Sequence, residues 1–172
     1  MDEQGFIHVY TGSGKGKTTA AIGLALRAAG AGKKVFIAQF IKGLPYAEMD
    51  ILAQVPNVKL KQYGRGCFIT KKPEQEDIEA AEQGWREVSE MIFKNLYDVI
   101  ILDEICVALY FHLLKVKDVV SVLKQKPYGM EIVLTGRYAP SELIELADLV
   151  TEMQEIKHYY HKGVKARKGI EY

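Results

Sequence analysis

Short apolar runs alternate along the chain with longer segments in which apolar residues recur every three or four positions. This alternation predicts strand–helix–strand crossovers, and hence an α/β fold with a mainly parallel sheet covered on both faces. Residues 6–10, 35–41, 99–102, 132–134 and 149–150 read as strands, and residues 57–63 have the makings of a further one. Several of the strands are apolar at consecutive rather than alternate positions, as expected when helices cover both sides.

Residues 17–29 are almost all helix-forming and apolar on every side, which predicts a deeply packed helix, with Gly30 and Gly32 able to end it in left-handed geometry. From Pro73 to about Leu96, Ile78, Ala81, Trp85, Val88 and Ile92 recur at threes and fours, the pattern of a long amphipathic helix with Trp85 on its apolar face. Pro73 suits the first turn, and Glu74, Glu76 and Asp77 oppose the dipole. Val116, Val119, Val120 and Leu123 mark a third helix that stops before Pro127, and a fourth begins near Pro140 with Leu143, Ile144 and Ala147. No repeat, low-complexity tract or linker interrupts the pattern, so residues 1–172 are expected to form one domain around one core.

The first strand runs directly into Thr11-Gly12-Ser13-Gly14-Lys15-Gly16-Lys17-Thr18-Thr19, and that loop runs directly into the apolar helix. Glycines at 12, 14 and 16 let successive N–H groups turn inward around an anion, because a β-carbon would obstruct close approach or left-handed dihedrals. The helix start near Lys17 adds unpaired N–H groups and the positive end of a dipole. In such a loop Lys17 contacts the phosphates as a point charge and Thr18 offers its hydroxyl to Mg²⁺. The first glycine of the general G-x-x-x-x-G-K-[ST] pattern is Thr11 here. Because strand, loop and helix stand in the required order, the expected fold is nonetheless that of an ATP-binding P-loop NTPase, a RecA-like three-layer sandwich.

Asp103 and Glu104 follow the apolar run 99–102 at the C-terminal end of a predicted strand. That edge of a parallel sheet is where ligands bind and where the phosphate loop also lies. Either carboxylate can hold Mg²⁺, directly or through water, completing the oxygen shell begun by Thr18 and the phosphates.

A P-loop alone leaves phosphoryl transfer, hydrolysis and alkyl transfer open. Further segments narrow the choice: the second loop lysine Lys15, the run Gln39-Phe40-Ile41-Lys42-Gly43, Leu134-Thr135-Gly136-Arg137, and the ending Gly163-Val164-Lys165-Ala166-Arg167-Lys168-Gly169-Ile170. In this combination and order, over almost its whole length, the chain closely resembles the P-loop ATP:corrinoid adenosyltransferases. The resemblance implies attack by Co(I) of a reduced corrinoid on the 5′ carbon of ATP, with triphosphate leaving intact. Lys15, Lys17 and Thr18, with Mg²⁺ and the loop amides, would then stabilise the charge growing on the leaving triphosphate. It also places Thr19 and Arg27 near the nucleotide beside Gly12, Ser13, Gly14 and Gly16; Arg137, at another strand end, has phosphate within its chemistry. A homodimer and a flavoprotein reductant are further implied partners. Relatives set a Phe and a Trp against the corrin ring; the corresponding stretch here, 63–69, has Phe68 and no Trp.

Charge adds an exclusion. The 23 basic and 22 acidic side chains leave +1 overall, no global field for nucleic acid or an anionic membrane. The basic run Lys157, Lys162, Lys165, Arg167 and Lys168 lacks interleaved stacking aromatics and reads as solvated or substrate-facing. Cys67 and Cys106 have no Cys-x-x-Cys spacing, and His8, His112, His158 and His161 no ligand spacing. With an acidic start lacking a signal-peptide pattern and no run of about 20 apolar residues, a cytoplasmic location is expected. An ATPase acting on nucleic acid and a nucleotide-sensing binding protein stand as alternatives to the transferase.

Overall fold

A computed structural model describes residues 3–44, 46–66 and 73–172. Its strands are β1 (Ile7–Thr11), β2 (Val35–Lys42), β3 (Val58–Gly66), β4 (Val99–Asp103), β5 (Glu131–Thr135) and β6 (Leu149–Glu152). Among the described residues they form one parallel sheet in the order β3-β2-β4-β5-β1-β6. Helices cover both faces, so the three-layer sandwich expected from the strand–helix alternation is the observed architecture.

The alternation of side chains along each strand divides the core in two. Val35, Ile37, Val99, Ile101 and Val133 pack under α1 (Lys17–Gly30) and Leu52, the last residue of α2 (Ala47–Leu52). Phe36, Ala38, Phe40, Ile100, Leu102, Ile132 and Leu134 face the other way. They pack against α3 (Gln75–Phe93), α4 (Ile105–Tyr110), α5 (Val116–Leu123) and α6 (Ser141–Leu146). Consecutive apolar residues in β2 and β4 are thus the two faces of one buried strand.

The further strand expected at 57–63 exists as β3, beginning at Val58 beside β2. Two short helices, α2 and α4, carry too few residues for a period to show; Ile105–Tyr110 is apolar enough to pass for a strand. The long amphipathic helix starts with a capping box, Glu74 bonding the N3 amide and the Asp77 carboxylate accepting from the Glu74 amide at 2.9 Å. The expected deep packing of α1 requires correction. Its buried apolar residues are Ala21, Ala25 and Ala28, whereas Leu26 is 43% exposed, because only one stripe of the helix meets the sheet. Gly32 takes the left-handed geometry expected after it, with φ of 82°. No helix among the described residues is long and apolar enough to cross a membrane.

Candidate functional site

Thr11 closes β1 in extended pairing with Glu152, which is why a glycine is dispensable there. The chain then turns at Gly12 with φ of 98°, a conformation that side-chain-bearing residues rarely adopt. A Cβ at Gly12 would also lie 2.4 Å from the Met153 carbonyl. The stretch after β6 braces the loop: Gly14 donates its N–H to Met153 O at 2.7 Å, and Met153 donates to Thr11 O at 2.9 Å. Gly16, φ 118°, caps α1.

Lys17 is buried, and its ammonium donates to the carbonyls of Gly12 at 2.8 Å and Gly14 at 2.7 Å. Burial first, then the charge of Arg137, pulls its pKa below the usual lysine value. Lys15 is exposed and donates to Ile170 O at 2.7 Å, with the Glu171 carboxylate 3.6 Å away. Both loop ammonium groups therefore rest on main-chain carbonyls, acceptors that an anion can replace.

Beneath the loop, side chains of β2 and β5 converge on Asp103, which ends β4 and is 1% exposed. Gln39, Asp103 and Thr135 follow the residues of β2, β4 and β5 that face α1, so the strand alternation places all three side chains beneath it. Asp103 Oδ1 accepts from Thr18 Oγ1 at 2.8 Å and Thr135 Oγ1 at 2.7 Å. Oδ2 accepts from Lys42 Nζ at 2.8 Å and Gln39 Nε2 at 3.2 Å. Lys42 reaches this side because β2 is irregular between Phe40 and Lys42, with Ile41 at φ 68°; a bulge re-aims the residue that follows it. Gly64 makes room, since a Cβ there would sit 2.1 Å from Ile41 O. Burial works against the Lys42 charge, but the Asp103 carboxylate outweighs it and holds the pKa above the ordinary lysine value.

Glu104 follows in the left-handed region at φ 60°, its N–H donating to Thr135 Oγ1 at 3.0 Å. Burial, then the neighbouring Asp103 charge, raises its carboxyl above the usual range. The free thiol of Cys106, two residues on, is buried and pushed up to about 12, which makes it inert rather than nucleophilic.

The loop, Lys42 and Glu104 border a cleft of about 780 Å³, a size suited to a small-molecule ligand. Of the expected site, Gly14, Lys15, Gly16, Lys17, Thr18, Thr19, Glu104 and Arg137 line it. Gly12, Ser13 and Asp103 shape the loop and its floor without bordering the space. Arg27 stands exposed in the last turn of α1, about 15 Å along the helix from Lys17 at 1.5 Å per residue, and is not brought to the cleft. Phe68 lies outside the described residues. Sequence reasoning assigned no role to Gln39, Lys42 or Thr135, although Lys42 and Thr135 each end an apolar strand and Gln39 is a polar residue inside one, which are visible signals.

No trio of His, Cys, Asp and Glu suited to a metal occurs among the described residues. A phosphate-bound Mg²⁺ asks for less, one or two protein oxygens with the rest from phosphate and water. The Thr18 hydroxyl and Asp103 Oδ1, 2.8 Å apart, are hard oxygen donors that fit that requirement, with Glu104 a second carboxylate at the edge.

The family described as ATP:corrinoid adenosyltransferase BtuR/CobO/CobP matches residues 3–172. A protein of Escherichia coli strain K12 named corrinoid adenosyltransferase is 38% identical over 173 aligned residues, covering all of this chain and 88% of its own length. The Salmonella typhimurium corrinoid adenosyltransferase CobA is 37% identical with the same coverage, and a Sinorhizobium corrinoid adenosyltransferase is 39% identical over 99% of this chain and 82% of its own. With a glycine-rich, lysine-bearing loop at one end of a ligand-sized cleft and this likeness running from end to end, the chain belongs to the ATP:corrinoid adenosyltransferase family, whose named members are transferases.

Proposed function

We propose that this protein transfers the 5′-deoxyadenosyl group of ATP to the Co(I) of a reduced corrinoid and releases inorganic triphosphate. The observation that carries the reading is the pair of ammonium groups, Lys15 and Lys17, held at one end of the cleft by carbonyls alone or nearly so. Charge-assisted bonds to phosphate oxygens are roughly twice as strong as bonds to neutral acceptors, so a polyphosphate displaces those carbonyls and takes both lysines.

In the reaction the cobalt electron pair forms the new bond to C5′ while the C5′–O bond breaks, and its electrons leave on the α-phosphate oxygen. Lys17, Lys15 and the amides at the start of α1 stand where that charge grows and stabilise it without reorganisation. Thr18 and Asp103 would hold Mg²⁺, which when bound supplies further neutralisation of the leaving group. Asp103 in turn is fixed by Lys42, Gln39 and Thr135, so the metal-facing carboxylate arrives preorganised. Arg137 at the rim adds a guanidinium suited to phosphate oxygens. The protein supplies position and dryness; the cobalt supplies the nucleophile.

The test is anaerobic incubation with ATP, Mg²⁺ and a chemically reduced corrinoid. The expected products are a light-sensitive cobalt–carbon species, seen by its visible spectrum, and triphosphate resolved from diphosphate by ion chromatography. ADP and phosphate in place of these would refute the reading.

A further inference from the structure

Beyond the 3-10 turn Tyr159–Lys162, the final segment of the chain folds back over the phosphate loop, 155 residues away in sequence. Gly169, Ile170, Glu171 and Tyr172 form one wall of the cleft. Most of the segment's bonds are internal. Glu171 accepts from the Tyr159 hydroxyl and from the Arg167 N–H at 2.7 Å, Arg167 stacks its guanidinium 5.0 Å from the Tyr159 ring, and Gly169 donates to Tyr172 O at 2.7 Å. Among the described residues, the polar contacts that join residues 163–172 to the chain before residue 158 all come from Lys15, through Ile170 O at 2.7 Å and Glu171 at 3.6 Å. Residues 161–170 are exposed throughout, so little apolar burial holds the segment down.

We propose that residues 163–172 are a strap latched to the phosphate loop by Lys15, and that the polyphosphate of an incoming nucleotide releases it; this rests on the reading of the loop as a triphosphate site. Two effects drive the release. The Lys15 ammonium exchanges a neutral carbonyl for a phosphate oxygen, a stronger acceptor. The Glu171 carboxylate, already satisfied by Tyr159 and Arg167, pulls only weakly on an exposed ammonium at 3.6 Å, and the arriving phosphate charge repels it. The same cation thus reports nucleotide occupancy to the wall of the cleft, and release of the wall widens the mouth through which a second, larger substrate must approach. Without nucleotide the strap shields the empty loop.

Limited trypsin digestion of the intact protein tests this, with cleavage after Lys165, Arg167 and Lys168 followed by mass spectrometry and ligand binding followed by calorimetry on the same sample. Saturating ATP with Mg²⁺, or inorganic triphosphate, is expected to raise cleavage at these sites roughly five- to tenfold, the ratio that loss of one net hydrogen bond produces. AMP, with a single phosphate, is expected to leave the rate within about twofold by the same reasoning. Glu171→Ala, which undoes the hook that Glu171 makes with Tyr159 and Arg167, is expected to be cleaved fast without ligand and to gain nothing on adding it. Binding without faster cleavage, or with protection, overturns the strap alone. Absence of triphosphate binding overturns both the strap and the nucleotide reading. A Glu171→Ala variant cleaved at the parental rate and still responsive to triphosphate also overturns the strap.

Discussion

Replacing Lys42 by Met keeps the length and apolar stem of the side chain and deletes only the ammonium. In the folded protein that ammonium lies 2.8 Å from Asp103 Oδ2, with the two side chains 10% and 1% exposed. Removing one member of a buried pair strands the other charge, which costs about 3–5 kcal/mol where nothing compensates. Asp103 keeps three donors, Thr18, Thr135 and Gln39, so the low end of that range, near 3 kcal/mol, is expected. For a chain of this length each kcal/mol moves the melting temperature by about 2–4 °C, giving a fall of about 6–12 °C for Lys42→Met. Urea unfolding at neutral pH measures the loss, and an unchanged slope would show that the native and denatured states keep their extent. Combining Lys42→Met with Asp103→Asn should cost less than the sum of the two, with a coupling of about 1–3 kcal/mol, since the stranded charge is gone. A loss below about 1 kcal/mol for Lys42→Met, the worth of an exposed pair, would refute the claim that Lys42 is the buried counterion that fixes the Asp103 carboxylate.

Two glycines in helices should respond in opposite directions to alanine. At Gly84 in α3 a Cβ would meet the Tyr63 ring at 2.5 Å, and that ring is pinned by its hydroxyl on Glu87, so Gly84→Ala should destabilise by about 1–2 kcal/mol despite better helix propensity. At Gly23 in α1 nothing lies within 4 Å, and Gly23→Ala should stabilise by about 0.5–1 kcal/mol; both are read by thermal unfolding. The Glu171 carboxyl is pulled from 4.5 to about 2 by the Tyr159 hydroxyl first and then by Arg167, with the Lys15 ammonium 3.6 Å away. A depressed carboxyl stabilises the folded hook fully above its ordinary value and loses that contribution as pH falls through 4.5 toward 2. A carboxyl-carbon NMR titration should place the Glu171 midpoint near 2, and a midpoint near 4.5 would show that the hook is not formed in solution.

What the sequence determined by itself follows from local physics. The buried strands, the long helix with Trp85 inward, and the phosphate loop between β1 and α1 are all written in residues adjacent along the chain, where apolar period and glycine placement suffice. Asp103 and Glu104 were legible as well, because the end of an apolar strand is a position readable without knowing its neighbours. Strand order and helix facing were not. The one-sided burial of α1 depends on which surface the sheet leaves open, and an Ala-rich helix carries no strong stripe to announce it. Lys42 reaches Asp103 only because β2 lies beside β4 and bulges at Ile41, a backbone event permitted by Gly64 on the next strand. The strap on Lys15 is likewise a contact across 155 residues. Tertiary structure decided these features because the partners of a buried charge or a loop lysine are set by the path of distant segments, and period and composition describe a residue's own face but not what is folded against it.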